Sequence, residues 1–274
     1  MPWYANANGE RLWYEERGRG PVIVLLHGWC MSSAVWRFQL EGMSDSFRVI
    51  VPDLAGHGRS GQSGGCGFQA LSADIAALFR HLDLAGALLA GWSLGAQVAL
   101  QAFAQLRERL SGLALISATP RFVAATDFPW ALAGVEAVGM GVKLRRNTAR
   151  ARAGFSARMF ASGEVDDPAL ADRIRALLAG IPCPETEVAL QSLNALAEAD
   201  LRDLLPAIDL PTLIINGDRD VICLPGASDY MAQRIASCHH VVLHGCGHAP
   251  FLTRSREFDA SLADFSRRVH DQGR

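Results

Sequence analysis

Gly91-Trp92-Ser93-Leu94-Gly95 sets a serine between two glycines, and its flanks decide whether that serine can react. The apolar run Ala87-Leu88-Leu89-Ala90 leads in, and Gly95-Ala96-Gln97-Val98-Ala99-Leu100 leads out like a helix. A buried strand, a one-residue corner and a helix is the setting in which G-x-S-x-G makes a nucleophile elbow. The corner holds a strained backbone angle, and side chains at Gly91 or Gly95 would strike the neighbouring helix or strand. The hydroxyl then stands clear of the sheet, with the helix N-terminus and the Leu94 N–H beside it to receive negative charge. Such a serine needs a base within hydrogen-bond reach, and the base needs an acid to orient it. A strand over residues 213–216 ends in Gly217-Asp218-Arg219-Asp220, and one over 241–243 ends in His244-Gly245-Cys246-Gly247-His248-Ala249-Pro250-Phe251. Ser93, His248 and either Asp220 or Asp218 are the candidates.

The rest of the chain must bring these to one edge. Residues 11–16 alternate like an antiparallel edge strand, and Pro21-Val22-Ile23-Val24-Leu25-Leu26 is a continuous apolar run, as a strand buried on both faces should be. It ends in His27-Gly28-Trp29-Cys30, at the carboxyl end of a central strand, where open α/β sheets place ligands. Helical spacing marks residues 33–43, 69–84 and 255–269; further strands are expected over 47–51, 112–117, 210–216 and 239–243. Strands alternating with helices predict a mostly parallel central sheet flanked by helices, an α/β fold. The alternation stops over residues 119–184, which read as helical with no strand. The division expected is therefore a core in two parts, residues 1–118 and 185–274, with a helical lid over 119–184 between them.

Bulk composition narrows the function classes. A chain of 274 residues, half of them hydrophobic, can bury a large core. A formal charge of −2 argues against a general nucleic-acid binder. The first residues lack a basic region followed by an apolar one, so no signal peptide is expected, and no apolar stretch approaches the ~20 residues of a membrane span. Six cysteines without paired spacing read as reduced thiols, so a cytoplasmic protein is expected. A monomer is the expected state, with no residue pattern behind it. No His, Cys and carboxylate cluster has metal-ligand spacing, so neither a metal nor a cofactor is invoked.

His27-Gly28-Trp29, Asp53-Leu54-Ala55-Gly56-His57-Gly58-Arg59-Ser60, Gly91 to Gly95, Gly217 to Asp220 and Gly247-His248, in that order, resemble the α/β-hydrolase family. The resemblance implies Ser93 as nucleophile, His248 as base and an oxyanion hole from the N–H groups of Trp29 and Leu94. It favours Asp220 over Asp218 as the acid, because the family places the acid three residues after the strand-terminal glycine. One departure stands out: the proline usual four residues after the acid is Pro225, five after Asp220. His57 reads as a brace for its turn, and His27 as orienting the oxyanion loop.

Finer details, Trp29, Trp92, the tail His248-Ala249-Pro250-Phe251, Ala118-Thr119-Pro120-Arg121-Phe122 and Ile181-Pro182-Cys183-Pro184, resemble pimeloyl-acyl-carrier-protein methyl ester esterases of biotin synthesis. That likeness implies a serine carboxylesterase releasing methanol from a carrier-bound ester, with Trp29, Trp92, Ser93, Leu94, Phe155, Ser156, Ala157, Arg158, Met159 and His248 at the substrate. Independently, no acidic residue lies between Glu136 and Glu164, while Lys143, Arg145, Arg146, Arg150, Arg152 and Arg158 are basic. A cationic lid on a slightly acidic protein points to an anionic partner, and a solvated helix face is the plainer alternative. The likeness would place an acidic acyl-carrier protein there, against Arg145, Arg146, Arg150, Arg152, Arg158 and Arg173. Two other readings share the motifs: a general short-chain carboxylesterase or carbon–carbon bond hydrolase, and a non-catalytic receptor that kept the hydrolase fold.

Overall fold

A computed structural model describes residues 2–61 and 65–272. Its frame is an eight-stranded sheet ordered β1-β2-β4-β3-β5-β6-β7-β8. These are β1 (Trp3–Ala5), β2 (Arg11–Arg17), β3 (Val22–Leu26), β4 (Arg48–Pro52), β5 (Ala87–Trp92), β6 (Leu110–Ile116), β7 (Thr212–Gly217) and β8 (Cys238–Leu243). β1, β2 and β4 pair antiparallel, and every pairing from β4 through β3 to β8 is parallel. The apolar runs explain the parallel part: β5 and β7 are buried at every position, so both faces must be covered. Helices α1 (Arg37–Met43), α2 (Phe68–His81), α3 (Leu94–Leu106), α8 (Pro225–Ala232), the short α9 (Pro250–Thr253) and α10 (Ser255–Gln272) belong to this α/β frame.

β2 is not the edge its alternation predicts. The short β1 pairs outside it in the register Tyr4↔Leu12, with Trp3 meeting Trp13 edge-on at 5.0 Å. Three residues are too few to show a period, so the sequence hides the true edge.

Register aligns the chemistry. β5 pairs with β3 to Leu26↔Gly91 and with β6 to Trp92↔Ile116, while β7 pairs with β8 to Gly217↔Leu243. The strands leading to Ser93, Asp220 and His248 therefore end along one carboxyl edge, where open α/β sheets bind ligands. Beneath that edge Trp36, Trp92, Phe251 and Phe258 are fully buried, with Trp36 and Phe251 rings 4.3 Å apart.

Above the edge lie α4 (Gly134–Arg146), α5 (Thr148–Ala157), α6 (Pro168–Gly180) and α7 (Thr186–Glu198). Residues 119–133 are not helical as expected. They form an irregular stretch with isolated bridges Val123↔Leu132 and Ala125↔Phe128, and helix begins only at Gly134. Asn147 ends α4 and caps α5, its side chain accepting from the Arg150 N–H at 2.9 Å. Among the described residues no helix is long and apolar enough to cross a membrane.

Candidate active site

Ser93 sits at φ 55°, ψ −117°, between the end of β5 and the start of α3. Few residues tolerate such an angle, which costs on the order of 1–3 kcal/mol and persists only where the surroundings enforce it. Here they do: the Ser93 N–H donates to the Ile116 carbonyl at 3.0 Å, and its own carbonyl accepts from Ala96 at 2.9 Å. The flanking glycines are obligatory. A Cβ on Gly95 would stand 2.5 Å from the Leu26 carbonyl oxygen, and one on Gly91 would collide with the Gly95 backbone.

His248 and Asp220 form a buried pair, Nδ1 to Oδ2 at 2.8 Å, with both side chains inaccessible to solvent. The second Asp220 oxygen accepts from the N–H groups of Ile222 (2.8 Å) and Cys223 (3.0 Å). Those bonds leave Oδ2 for the ring N–H, which fixes the tautomer and leaves the lone pair on Nε2. Nε2 is buried and has no partner among the described residues. Asp218 is elsewhere: its carboxylate takes His244 Nδ1 (3.0 Å) and the Gly245 N–H (2.7 Å) at the surface, and the contact with His244 holds it below the usual carboxylate range. The structure thus pairs Asp220, not Asp218, with His248. Cys223 packs beside both Ser93 and Asp220, and burial, then the Asp220 charge, push its thiol well up against a smaller lowering from the Ser93 hydroxyl.

The backbone donors expected to form an oxyanion hole are free of other partners among the described residues. They are the N–H groups of Trp29 and Leu94, Leu94 being the first residue of α3. The loop bearing Trp29 is held by His27, whose Nδ1 donates to the Gly28 carbonyl (2.9 Å) while Nε2 accepts from the Leu54 N–H (3.0 Å). His57 bonds the Ala55 carbonyl within its own turn at 3.0 Å. Burial keeps both rings neutral, pushing His27 down to about 4 and His57 to about 3. Neither lines the slot beside Ser93.

A narrow apolar slot runs outward from Ser93 and Trp29, with about 20 Å³ of free interior. Phe122, Leu132, Met140, Phe155, Leu193 and Leu196 wall it. Phe155 meets the Trp29 ring edge-on at 5.0 Å, and the Trp29 indole N–H is anchored to the Ala189 carbonyl of α7 at 3.1 Å. At Met140, Phe155 and Arg158 the slot abuts an open groove of about 660 Å³ between α4 and α5, whose cations are Lys143, Arg146, Arg150 and Arg158. Arg158 pairs with Glu136 at 3.1 Å where slot meets groove.

The sequence profile of the alpha/beta hydrolase fold family matches residues 21–255. The chain belongs to the α/β-hydrolase family. Among its curated relatives, a pimeloyl-[acyl-carrier protein] methyl ester esterase from Nitrosomonas europaea is 35% identical over 89% of this chain and 95% of its own. One of the same name from Nitrosospira multiformis is 31% identical over 93% of this chain and 98% of its own. Among solved structures, an esterase from Exiguobacterium antarcticum superposes with a TM-score of 0.90 at 25% identity, covering 97% of this chain and 98% of that one.

Within this hydrolase the other expected substrate residues divide. Phe155 and Arg158 line the slot, but Ser156 and Ala157 do not. Met159 is fully buried, and its carbonyl accepts the His248 N–H at 2.7 Å. Trp92 lies behind the site at 1% exposure, walled by Gly28, Trp36 and Phe251 rather than by the slot. Of the arginines, Arg146, Arg150 and Arg158 line the groove. Arg152 turns inward and donates to the carbonyls of Leu178 (3.1 Å), Ile181 (2.7 Å) and Pro182 (3.3 Å), closing the end of α6. Arg145 lines the depression between α4 and α7, and Arg173 stacks over Phe38 at 4.6 Å. Sequence reasoning missed Leu193 and Leu196, whose helix carries apolar residues at 190, 193 and 196 and was open to a periodicity reading. Phe122 falls in a stretch singled out only for its likeness to the esterases, and Leu132 and Glu136 carry no motif signal for a role in the slot.

Proposed function

We propose that the chain is a serine carboxylesterase that hydrolyses the methyl ester of a pimeloyl-acyl-carrier protein. The observation that carries this reading is the slot, apolar from Ser93 outward and meeting a groove of four cations. The slot has the apolar lining an acyl chain needs, although with about 20 Å³ free its walls must part to admit a long one, and the groove's cations match the charge of an acidic carrier with its phosphate-bearing arm. The names of the relatives from Nitrosomonas europaea and Nitrosospira multiformis support the same substrate.

In this mechanism His248 Nε2 takes the Ser93 proton as Oγ attacks the ester carbonyl, and Asp220 steadies the imidazolium through Nδ1. The N–H groups of Trp29 and Leu94 receive the oxyanion. Collapse of the tetrahedral species expels methanol with the proton from His248. Water, deprotonated by His248, then cleaves the acyl-enzyme and returns Ser93 and the free acid. Residues 119–184 act as the lid, α4 and α5 supplying the carrier surface. The enzyme works in this reading as a cytoplasmic monomer.

A second reading, a short-chain carboxylesterase, is favoured by the small free volume of the slot. Methanol release from the carrier-bound ester, set beside the free methyl ester and Ser93→Ala, separates the two. Ser93-dependent turnover that prefers the carrier-bound ester supports the first. Turnover of free esters only would discard the carrier, and no turnover of either would discard the esterase.

A further inference from the structure

The turn that leaves α5 folds back onto the loop carrying His248. The His248 N–H donates to the Met159 carbonyl at 2.7 Å. Farther along the turn, Glu164 Oε2 accepts from two backbone groups, the N–H of Ala161 (2.7 Å) and that of Gly247 (2.7 Å). Its Oε1 accepts from the Thr253 hydroxyl of α9 at 2.5 Å. One carboxylate thus joins the turn, the histidine loop and α9. The contact is close enough to dictate Gly247: a Cβ there would stand 2.9 Å from the Ala161 nitrogen and 3.1 Å from Glu164 Oε2.

The other side of His248 is held from the sheet, its ring by Asp220 and its carbonyl by the Trp92 indole. Asp220 sets how the imidazole is rotated, but nothing in that bond sets where the backbone of the loop stands over Ser93. The bonds to Met159 and Glu164 supply that coordinate. A half-buried glutamate with no basic partner among the described residues, placed on two N–H groups and a hydroxyl, has a geometry suited to holding backbone rather than to pairing charge.

We propose that Glu164 is a positioning residue for His248, clasping the Gly247–His248 backbone to the turn after α5 so that the imidazole stays aligned with Ser93. The inference rests on His248 being the general base. It makes the α5 turn part of the catalytic apparatus for every ester, not only for carrier-bound ones.

The test compares the wild type with Glu164→Ala, Glu164→Gln and Thr253→Val, reading fluorophosphonate labelling of Ser93 and steady-state turnover of a small p-nitrophenyl ester. Small displacements of a catalytic group cost much rate, so Glu164→Ala should label about tenfold more slowly and lose kcat with KM nearly unchanged. Glu164→Gln keeps an oxygen for both N–H groups and should recover most of the rate; Thr253→Val should fall between. A Glu164→Ala protein labelled at the wild-type rate, or one changed only in thermal stability, overturns the proposal. Should Glu164→Ala fail to fold, Thr253→Val at the wild-type labelling rate overturns it equally. A wild type that takes no label at Ser93 removes the nucleophile reading, and this inference with it, a result distinct from the other two.

Discussion

The indole N–H of Trp92 donates to the backbone carbonyl of His248 at 2.8 Å, so the residue before the proposed nucleophile supports the residue proposed as its base. The ring also packs on Phe251 at 4.9 Å, beneath the same loop. Trp92→Phe keeps most of the apolar contact and removes the donor, leaving a buried carbonyl unpaired. Loss of about 1–3 kcal/mol of stability is expected. kcat for a small ester should fall several-fold while KM holds, because the ring lies outside the slot. Chemical denaturation and steady-state kinetics check this; unchanged kcat with lowered stability would make Trp92 purely a packing residue.

His27 and His57 govern part of the acid response. Their folded values, about 4 and about 3, lie below the usual 6.5 because burial disfavours the charged ring. Above pH 6.5 both rings are neutral, folded or unfolded, and no stability is lost. As pH falls below it, the unfolded chain binds protons that the folded one refuses, so stability drops by roughly 1 kcal/mol per pH unit for each ring. The loss continues until the folded values are reached. Asp74 and Asp259, raised to about 6 by burial, work the other way: they favour the folded state at low pH, and that contribution is lost as pH rises toward 6. NMR separates the groups. The His27 and His57 ring signals should not titrate between pH 8 and pH 5, and a midpoint near 6.5 for either would contradict their burial.

The candidate site is mostly legible in the sequence because its pieces are short motifs tied to strand ends. Gly91 to Gly95, Gly217 to Asp220 and Gly247-His248 each follow a strand that the sequence reveals, and a parallel sheet carries those ends to one edge. Residues that act across the fold are not legible in this way. Arg152 looks like one more surface cation until the carbonyls at the end of α6 are placed against it. Glu164 has no local motif, since its acceptors' partners include residues 247 and 253. Leu193 and Leu196 show a helix face, but a periodicity does not say which cavity that face closes.

The groove between α4 and α5 should matter only for an anionic partner. Arg150 is exposed and lines it beside Lys143 and Arg146. Arg150→Ala should raise KM for a carrier-bound ester by about 3- to 10-fold and leave free small esters untouched, with the wild-type advantage shrinking as salt screens the field. Kinetics at low and high ionic strength test it. Equal losses on both substrates would place Arg150 in the fold of α5 rather than in docking.

Phe155 closes the slot over Trp29, and its replacement should change which acyl groups enter. Phe155→Leu keeps an apolar side chain but removes the edge-on ring contact at 5.0 Å. Aromatic pairs of this kind contribute about 0.5–1.5 kcal/mol beyond their burial, so stability should fall by about 1 kcal/mol. The slot, with about 20 Å³ free, would widen where Phe155 lines it. Turnover of branched or bulky acyl esters should rise relative to straight chains, while fluorophosphonate labelling of Ser93 should hold, because the bonds of His248 to Asp220 and Trp92 remain and the Phe155 ring meets the imidazole only edge-on at 6.5 Å. A series of p-nitrophenyl esters of increasing bulk measures the shift. An unchanged ranking would mean that acyl chains reach Ser93 by a path that does not pass between Trp29 and Phe155.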